Sequence, residues 1–174
     1  MEMGLYDGLR HTVPVIDAAI NKIVRLTGGF KVISSDESFQ QALDEFVYGV
    51  KVGVSGRSLH SFIDGYLDSL LTYGNAVGEI LLNTETMQVA GLYNGNVRDI
   101  EVKCGKSPID AEYFLKGEND TLTKLPNPNL ILFTALNPPP NQAYGNSILK
   151  GLPYISSILM RIYECIGQNF DRVG

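Results

Sequence analysis

The sequence predicts an α+β protein: several amphipathic helices come first, a small, mainly antiparallel sheet follows, and a long helix comes last. Three observations predict this class. Apolar residues recur at helical spacing in three stretches before residue 74. Residues 76–136 contain short apolar or alternating runs separated by turn signals. A narrow apolar stripe then recurs at steps of three and four over residues 148–170.

The composition is that of one globular region. The chain has 174 residues, of which 44% are apolar and 19% are charged, as is typical of folded domains. We expect a single α+β region with a helical part at about residues 1–74, a sheet part at about 75–136 and a long helix at about 146–170. Because the last helix shows no compact ending before Gly174, we expect the chain to be part of a longer protein.

The first helix is expected at about residues 14–27. Pro14 suits the first helical turn, and Gly28-Gly29 ends the apolar pattern. Residues 30–33, with the sequence FKVI, favour a short strand after this helix.

Two further helices complete the helical part. Ser34 and Glu37 have the spacing of a capping box and predict the start of the second helix. The third helix, at about residues 58–73, has the clearest apolar stripe. Gly74 ends it, because glycine adopts a left-handed conformation without a Cβ clash. The stripe consists of Leu59, Phe62, Ile63, Tyr66, Leu67, Leu70 and Leu71.

The middle of the chain predicts strands. AVGEILLN, MQVAGLYN and VRDIEVKC favour a three-stranded meander, with Asn94-Gly95 as the hairpin turn between the second and third strands. Residues 113–116 favour a fourth strand, and residues 130–136 a buried one. Residues 135–147 contain three consecutive prolines and predict a stiff, extended connector.

The last helix is predicted to be a rod roughly 30 Å long, from ~20 residues at about 1.5 Å each. Pro153 either kinks it or lies in its first turn. The stripe is narrow, which indicates contact with another helix, within the chain or between copies. Its members are Ile148, Leu152, Ile155, Leu159, Ile162, Ile166 and Phe170.

The sequence offers little for metal or nucleophilic chemistry. His11 and His60 are the only histidines, and neither has a partner at metal-ligand spacing. Ser58 and Ser61 are one or two positions from His60 on the helix, so their side chains diverge from it. We therefore expect no metal, no cofactor and no catalytic dyad. Asp64 and Asp68, one turn apart, form either an acid pair or a solvated helix face.

Charge and cysteine content restrict the function further. The net charge of −5 argues against a broad basic face that grips nucleic-acid phosphates. Cys104 and Cys165 are expected to be reduced, mostly buried thiols in a protein assembled inside the cell. The N-terminus lacks a signal-peptide pattern, and no apolar run approaches the ~20 residues of a membrane span.

Three stretches of the chain resemble, in their order and spacing, the portal proteins of tailed bacteriophages and prophages. LLTYGNAVGEILLN, residues 70–83, is similar to the portal segment in which a helix breaks at a "yGnA-x-x-E" motif and enters a small sheet. Residues 9–32 resemble the N-terminal helix, glycine and strand of that family. Residues 143–174 resemble the segment in which a "G-x-S" turn opens a long helix. The resemblance covers the N-terminal, wing-side part of such a protein.

The resemblance implies structural positions and no active site. It implies that one group forms the break from helix to hairpin: Tyr73, Gly74, Asn75 and Glu79. It implies that a second group starts the long helix: Tyr144, Gly145, Asn146 and Ser147.

The resemblance also implies partners and a location. A portal is a ring, usually a dodecamer, at one vertex of the capsid, assembled in the cytoplasm of the bacterial host. It contacts capsid and scaffold proteins, the terminase and the head–tail connector, and double-stranded DNA passes through it without sequence specificity. Two alternatives remain open: a nucleic-acid-processing enzyme, with its active site around Asp64 and Asp68 or in a missing part, and another virion structural protein such as a connector.

Overall fold

The computed structural model describes residues 2–105 and 110–173. These residues form helices and two sheets, and the predicted α+β class is confirmed. The helices are α1 (Glu2–Thr12), α2 (Pro14–Thr27), α3 (Gln40–Gly49), α4 (Leu59–Tyr73) and α5 (Leu152–Val173). The strands are β1 (Lys51–Val52), β2 (Gly56–Arg57), β3 (Asn75–Leu82), β4 (Val89–Gly95), β5 (Ile100–Cys104), β6 (Ala111–Lys116), β7 (Leu122–Lys124) and β8 (Ile131–Ala135).

The strands divide between a five-stranded and a three-stranded sheet. The larger sheet has the order β2-β1-β4-β3-β8, and the smaller has the order β5-β6-β7. β3 lies between β4 and β8 and is antiparallel to both, with Val77 opposite Gly95 on one side and Phe133 on the other. β1 and β4 form a parallel pair at Val52 and Leu92.

Helix α4 takes part in all three apolar cores, the third of them only through Tyr73. One core joins it to the larger sheet, where Phe62 packs with Val52 and Leu92. The second joins it to α1 and α2, because Leu67 and Leu71 pack against the cluster that contains Ile20. The third core lies between the two sheets and is centred on Val77, Val97 and Ile100. Most of the predicted α4 stripe is half-buried, and Phe62 is its fully buried member.

The first helix of the chain was missing from the prediction. α1 contains Gly4 and Gly8, which weaken the apolar pattern and lower helix propensity. Its tertiary contacts compensate, since Tyr6 and Leu9 are buried in the same cluster as Ile20. The helix predicted at residues 14–27 is α2, with the predicted bounds.

The expected strand at residues 30–33 does not form. This segment is unpaired, because side chains of the neighbouring helices use its backbone groups. His60 Nε2 lies 3.0 Å from the Phe30 carbonyl oxygen, and the Gln40 amide donates to the Val32 carbonyl oxygen at 3.3 Å. The capping box is also absent: Asp36, not Ser34, accepts from the Ser38 N–H, and a 3₁₀ turn precedes α3.

The predicted three-stranded meander is wrong at its second turn. β3 and β4 form the expected antiparallel hairpin, but β4 continues through Asn94 and Gly95, and β5 belongs to the other sheet. The Asn94 side chain donates to the Phe62 carbonyl oxygen at 3.0 Å. This bond to α4 fixes Asn94 in the strand and overrides its local preference for a turn.

Three smaller expectations also change. β8 forms within residues 130–136, but its residues are half-buried or exposed in alternation, so it is not a buried strand. The long helix begins at Leu152, with Pro153 in its first turn. Cys165 is exposed rather than buried. The side chains of Cys104, and of Leu159 and Phe170 in the predicted stripe of the last helix, lie outside the described part of the structure.

Truncation of Phe62 tests the importance of the α4–sheet core. Phe62 is 3% exposed, so Phe62→Ala is expected to cost about 3–5 kcal/mol in the free energy of unfolding, through lost burial and a cavity. Phe39→Ala is the matched control, since Phe39 is 64% exposed, and it is expected to cost less than about 0.5 kcal/mol. Urea unfolding of both variants measures this. Equal costs would contradict the assignment of the core.

Candidate functional site

The end of α4 meets a segment that lies about seventy residues further along the chain. Gly74 ends the helix in the left-handed conformation, with φ 78°, and its N–H bonds to the Leu70 carbonyl oxygen. A Cβ on Gly74 would lie 2.4 Å from the carbonyl carbon of Asn146 and 2.5 Å from the nitrogen of Ser147. Only glycine therefore allows this contact. We call the junction of Tyr73–Asn75 with Tyr144–Ser147 the clasp.

Each of the last four carbonyl groups of α4 has a partner. Helix ends leave these oxygens without an intrahelical donor, so other groups must satisfy them. Leu70 accepts from Gly74, Leu71 accepts from the Ile148 N–H at 3.3 Å, Thr72 accepts from the Ser147 hydroxyl at 2.6 Å, and Tyr73 accepts from the Asn75 side-chain amide at 3.3 Å. Two of the four donors come from the distant segment, which makes it a C-terminal cap for α4.

Further backbone contacts close the clasp. The Gly74 carbonyl oxygen accepts from the Leu136 N–H at 2.8 Å, and the Leu136 carbonyl oxygen accepts from the Asn146 N–H at 2.7 Å. Asn75, 3% exposed, accepts from the Gly145 N–H through Oδ1 at 2.8 Å. These bonds join α4, the ends of β3 and β8, and the segment before α5.

The predicted site residues therefore separate into two groups. Seven of the eight lie in the clasp, and the structure brings the two predicted motifs together in space. Glu79 does not take part, since it lies in the middle of β3, opposite Tyr93 and Ile131, with its side chain exposed. The segment Tyr144–Ser147 does not begin the long helix either. Ser147 Oγ accepts from the Leu149 N–H at 2.9 Å and forms a turn, and α5 begins after that turn.

Tyr73 connects the clasp to α1. Its hydroxyl donates to Asp7 at 2.6 Å, and the Arg98 guanidinium carbon lies 5.4 Å from its ring centre. Arg98 also forms an ion pair with Asp7. Burial, and after it the hydrogen bond to Asp7, raises the pKa of Tyr73 to about 12. Burial acts to raise the pKa of Asp7, but the bonds from Tyr73 and Arg98 outweigh it and leave that pKa lowered.

Arg10 holds three helices together near the clasp. Its guanidinium donates to Asp17 on α2, and to both carboxylate oxygens of Asp68 and the hydroxyl of Thr72 on α4, at 2.6–2.8 Å. The Arg10 side chain is 16% exposed, so its contacts with these carboxylates are partly shielded from water. Burial alone would lower its pKa, but the bonds to Asp68 and Asp17 raise it. Asp68 is thus occupied by a structural ion pair.

The other chemical candidates also have structural contacts. The His60 ring stacks on Phe30 at 4.5 Å and on Tyr48 at 5.8 Å. In residues 2–105 and 110–173, no three His, Cys, Asp or Glu side chains converge as metal ligands would. Among the described helices, none combines the length and the apolar character needed to cross a membrane.

An open cavity of about 1020 Å³ lies beside the clasp. Its walls are the first turns of α1, the strand β5 and the segment Tyr144–Ser147. We call it the β5 cleft. Tyr144 stands at its side: its ring meets Phe133 edge-on at 6.0 Å, and its hydroxyl accepts from the Val102 N–H at 2.9 Å.

Sequence patterns missed Asp7, Arg10 and Arg98. The last-turn position of Arg10 in α1 carries no distinctive signal, because its partners Asp17 and Asp68 lie on other helices.

Comparison with known proteins shows the fold. No protein-family model and no curated protein matches the chain. Among solved structures, a chain from the neck of an empty gene transfer agent particle, computed with C6 symmetry, superposes with a TM-score of 0.61 at 16% identity, covering 79% of this chain and 37% of that one. A chain from the virion of a native gene transfer agent particle gives 0.63 at 14% identity, covering 92% and 45%. One from the neck of the native particle, computed with C12 symmetry, gives 0.57 at 16%, covering 85% and 41%.

This chain shares its fold with part of each of the three solved chains. The chain spans less than half the length of each of the three solved chains. At 14–16% identity the likeness establishes a common fold.

A methyl group at Gly145 tests the clasp. Its Cβ would lie 2.3 Å from the Leu136 nitrogen and 2.4 Å from the Gly74 oxygen, so the backbone must shift and lose their hydrogen bond. Gly145→Ala is expected to cost about 3 kcal/mol in the free energy of unfolding. Gly151→Ala is the matched control, because nothing lies within 4 Å of its added Cβ, and its cost is expected within about 0.5 kcal/mol. A neutral Gly145→Ala in chemical denaturation would rule out the tight contact.

The Tyr73–Asp7 bond predicts a loss of stability in alkali. The unfolded phenol loses its proton near pH ~10, whereas the folded one keeps it to about pH 12. Neutral Tyr73 therefore stabilises the fold fully below pH ~10, and this stabilisation disappears as the pH rises toward 12. The difference in unfolding free energy between the wild-type chain and Tyr73→Phe is expected to shrink over that range. A difference that stays constant from pH 8 to pH 12 would show that the bond does not form.

Proposed function

We propose that the chain is the wing-side part of a portal-type ring subunit in a phage or phage-like particle, and that it acts by assembly rather than by catalysis. The observation that carries the proposal is the fold shared with neck and virion chains of gene transfer agent particles over 79–92% of this chain. The ordered resemblance of residues 9–32, 70–83 and 143–174 to portal proteins supports the same role.

The proposed place of action is the capsid vertex of the virion. There the ring, a dodecamer by resemblance, serves as the conduit for DNA and as the docking site for terminase and the head–tail connector. Capsid and scaffold proteins are its other proposed partners. The C6 and C12 symmetries of the similar neck assemblies support a ring of identical subunits.

The exposed stripe of α5 supports contact between subunits. Ile155, Ile158, Ile162 and Ile166 are 60%, 42%, 48% and 44% exposed, and they recur at three- and four-residue steps. Such steps place them on one side of the helix. Full burial of an isoleucine contributes roughly 1.5–3 kcal/mol. Covering this stripe with a partner therefore contributes substantially to the free energy of association. A ring of identical subunits offers such a partner at every interface.

The described residues give the enzyme alternative no specific support. Its two acidic candidates do not act as a free pair, because Arg10 binds both carboxylate oxygens of Asp68. Structural packing also accounts for His60.

Electron microscopy of the full gene product tests the proposal. We expect closed rings with a central hole in negative stain and a matching mass by light scattering. The double variant Ile158→Asn, Ile162→Asn is expected to reduce the ring fraction at least tenfold, because a covered stripe would then bury two amides without partners. Val54→Asn is the control, since Val54 is fully exposed in the loop between β1 and β2, and its rings are expected to be unchanged.

Two results would contradict these statements separately. A full product that remains a monodisperse monomer or dimer would overturn the ring. Rings that form equally well from the α5 variant would leave the ring intact and exclude α5 from its interfaces.

A further inference from the structure

The β5 cleft contains one unpaired sheet edge. Among the strands within residues 2–105 and 110–173, β5 pairs only with β6, so its other side lies at the sheet boundary. Ile100, Glu101 and Val102 of this strand line the cleft. An accessible edge strand presents backbone groups to which another extended segment can bond.

The hydrogen-bond register identifies which backbone groups face the cleft. Lys116 N–H donates to the Asp99 carbonyl oxygen at 2.7 Å, and Gly105 N–H donates to the Asp110 carbonyl oxygen at 2.8 Å. The odd-numbered residues around β5 therefore bond toward β6. Because these directions alternate along a strand, the N–H and C=O groups of Ile100 and Val102 point away from β6.

Tyr144 already uses one of these outward groups. The Val102 N–H donates to the Tyr144 hydroxyl at 2.9 Å, which verifies that this edge faces the cleft. A side-chain hydroxyl is a replaceable partner, since it can bond to water when another acceptor takes its place. Tyr144 is 36% exposed and lines the cleft.

The cleft is basic in a chain of net charge −5. Lys116 and Lys150 line it, and within the described residues neither ammonium group has a carboxylate partner. Lys150 donates to the Asn146 side-chain oxygen, a neutral acceptor, at 2.6 Å. The third cation, Arg98, is paired with Asp7, and the one acidic wall residue, Glu101, is paired with Lys103. Two lysine charges therefore remain for an occupant.

We propose that the β5 cleft binds an extended, acidic segment of another protein, which adds to β5 as a strand and places carboxylates against Lys116 and Lys150. The backbone of the segment supplies partners for the outward groups of Ile100 and Val102. Its carboxylates neutralise the two lysines. The site is independent of the ring interface proposed for α5.

A protein segment fits this cleft better than a nucleic acid does. Nucleic-acid affinity grows with the number of phosphates neutralised, and the two lysines that lack a carboxylate partner among the described residues supply few such contacts. A sheet edge provides alternating N–H and C=O groups at strand spacing, which match a polypeptide backbone.

Titration with an eight-residue peptide of alternating Glu and Val, blocked at both ends, tests the proposal. In spectra of the ¹⁵N-labelled chain, the Ile100 and Val102 amides are expected to shift and to exchange with solvent more slowly. The double variant Lys116→Glu, Lys150→Glu is expected to weaken binding at least tenfold. Lys22→Glu, Lys31→Glu is the matched control, with the same change of charge outside the cleft and an expected loss below threefold. Tyr144→Phe removes the competing hydroxyl, and binding is expected to strengthen severalfold.

Four outcomes would overturn the proposal. The first is no binding of the peptide, and the second is equal binding of a peptide with Lys in place of Glu. The third is displacement of the acidic peptide by a 20-base-pair DNA duplex, which would identify a phosphate site. The fourth is self-association of the chain that the Lys116→Glu, Lys150→Glu variant abolishes, which would make a second copy the occupant.

Discussion

The fold depends on how the C-terminus of α4 is satisfied. This helix packs on both the larger sheet and the α1–α2 pair, so its end lies inside the molecule, where carbonyl groups without donors are costly. The donors come from Gly74, Asn75 and the Ser147–Ile148 segment. One requirement, the capping of a buried helix end, thus fixes the path of the chain before α5 and orients β3 and β8.

Hydrogen bonds to charged groups help to hold α1 against α4. α1 contributes Tyr6 and Leu9 to a core, but its glycines make it weak as an isolated helix. Its attachment to α4 depends on two partly buried contacts, Arg10 with Asp68 and Asp7 with Tyr73. Hydrogen bonds to charged groups in such surroundings are stronger than those at the surface. The hydrogen bonds of Arg10 therefore explain how this charged side chain can be only 16% exposed.

Local signals in the sequence predicted where helices and strands lie better than they predicted which of them contact each other. The stop at Gly74 follows from glycine alone, and the bounds of α2 follow from Pro14 and Gly28. The clasp needs contacts across some seventy residues, which no local pattern contains, and the helix start at Tyr144–Ser147 that the resemblance implies lies instead in this junction. Asn94-Gly95 failed as a turn because α4 supplies a stronger partner for Asn94. α1 escapes prediction because its glycines weaken the local pattern, and the burial of Tyr6 and Leu9 and the bonds of Arg10 and Asp7 that stabilise it involve other elements.

The clasp also determines which surfaces remain for other molecules. It occupies the last four carbonyl groups of α4 with internal hydrogen bonds. The segment that forms it continues directly into α5, whose isoleucine stripe is exposed. The same segment carries Tyr144 against the free edge of β5. This junction thus carries an apolar helix face and a sheet edge on one short stretch of sequence, an arrangement that suits the assembly role we propose.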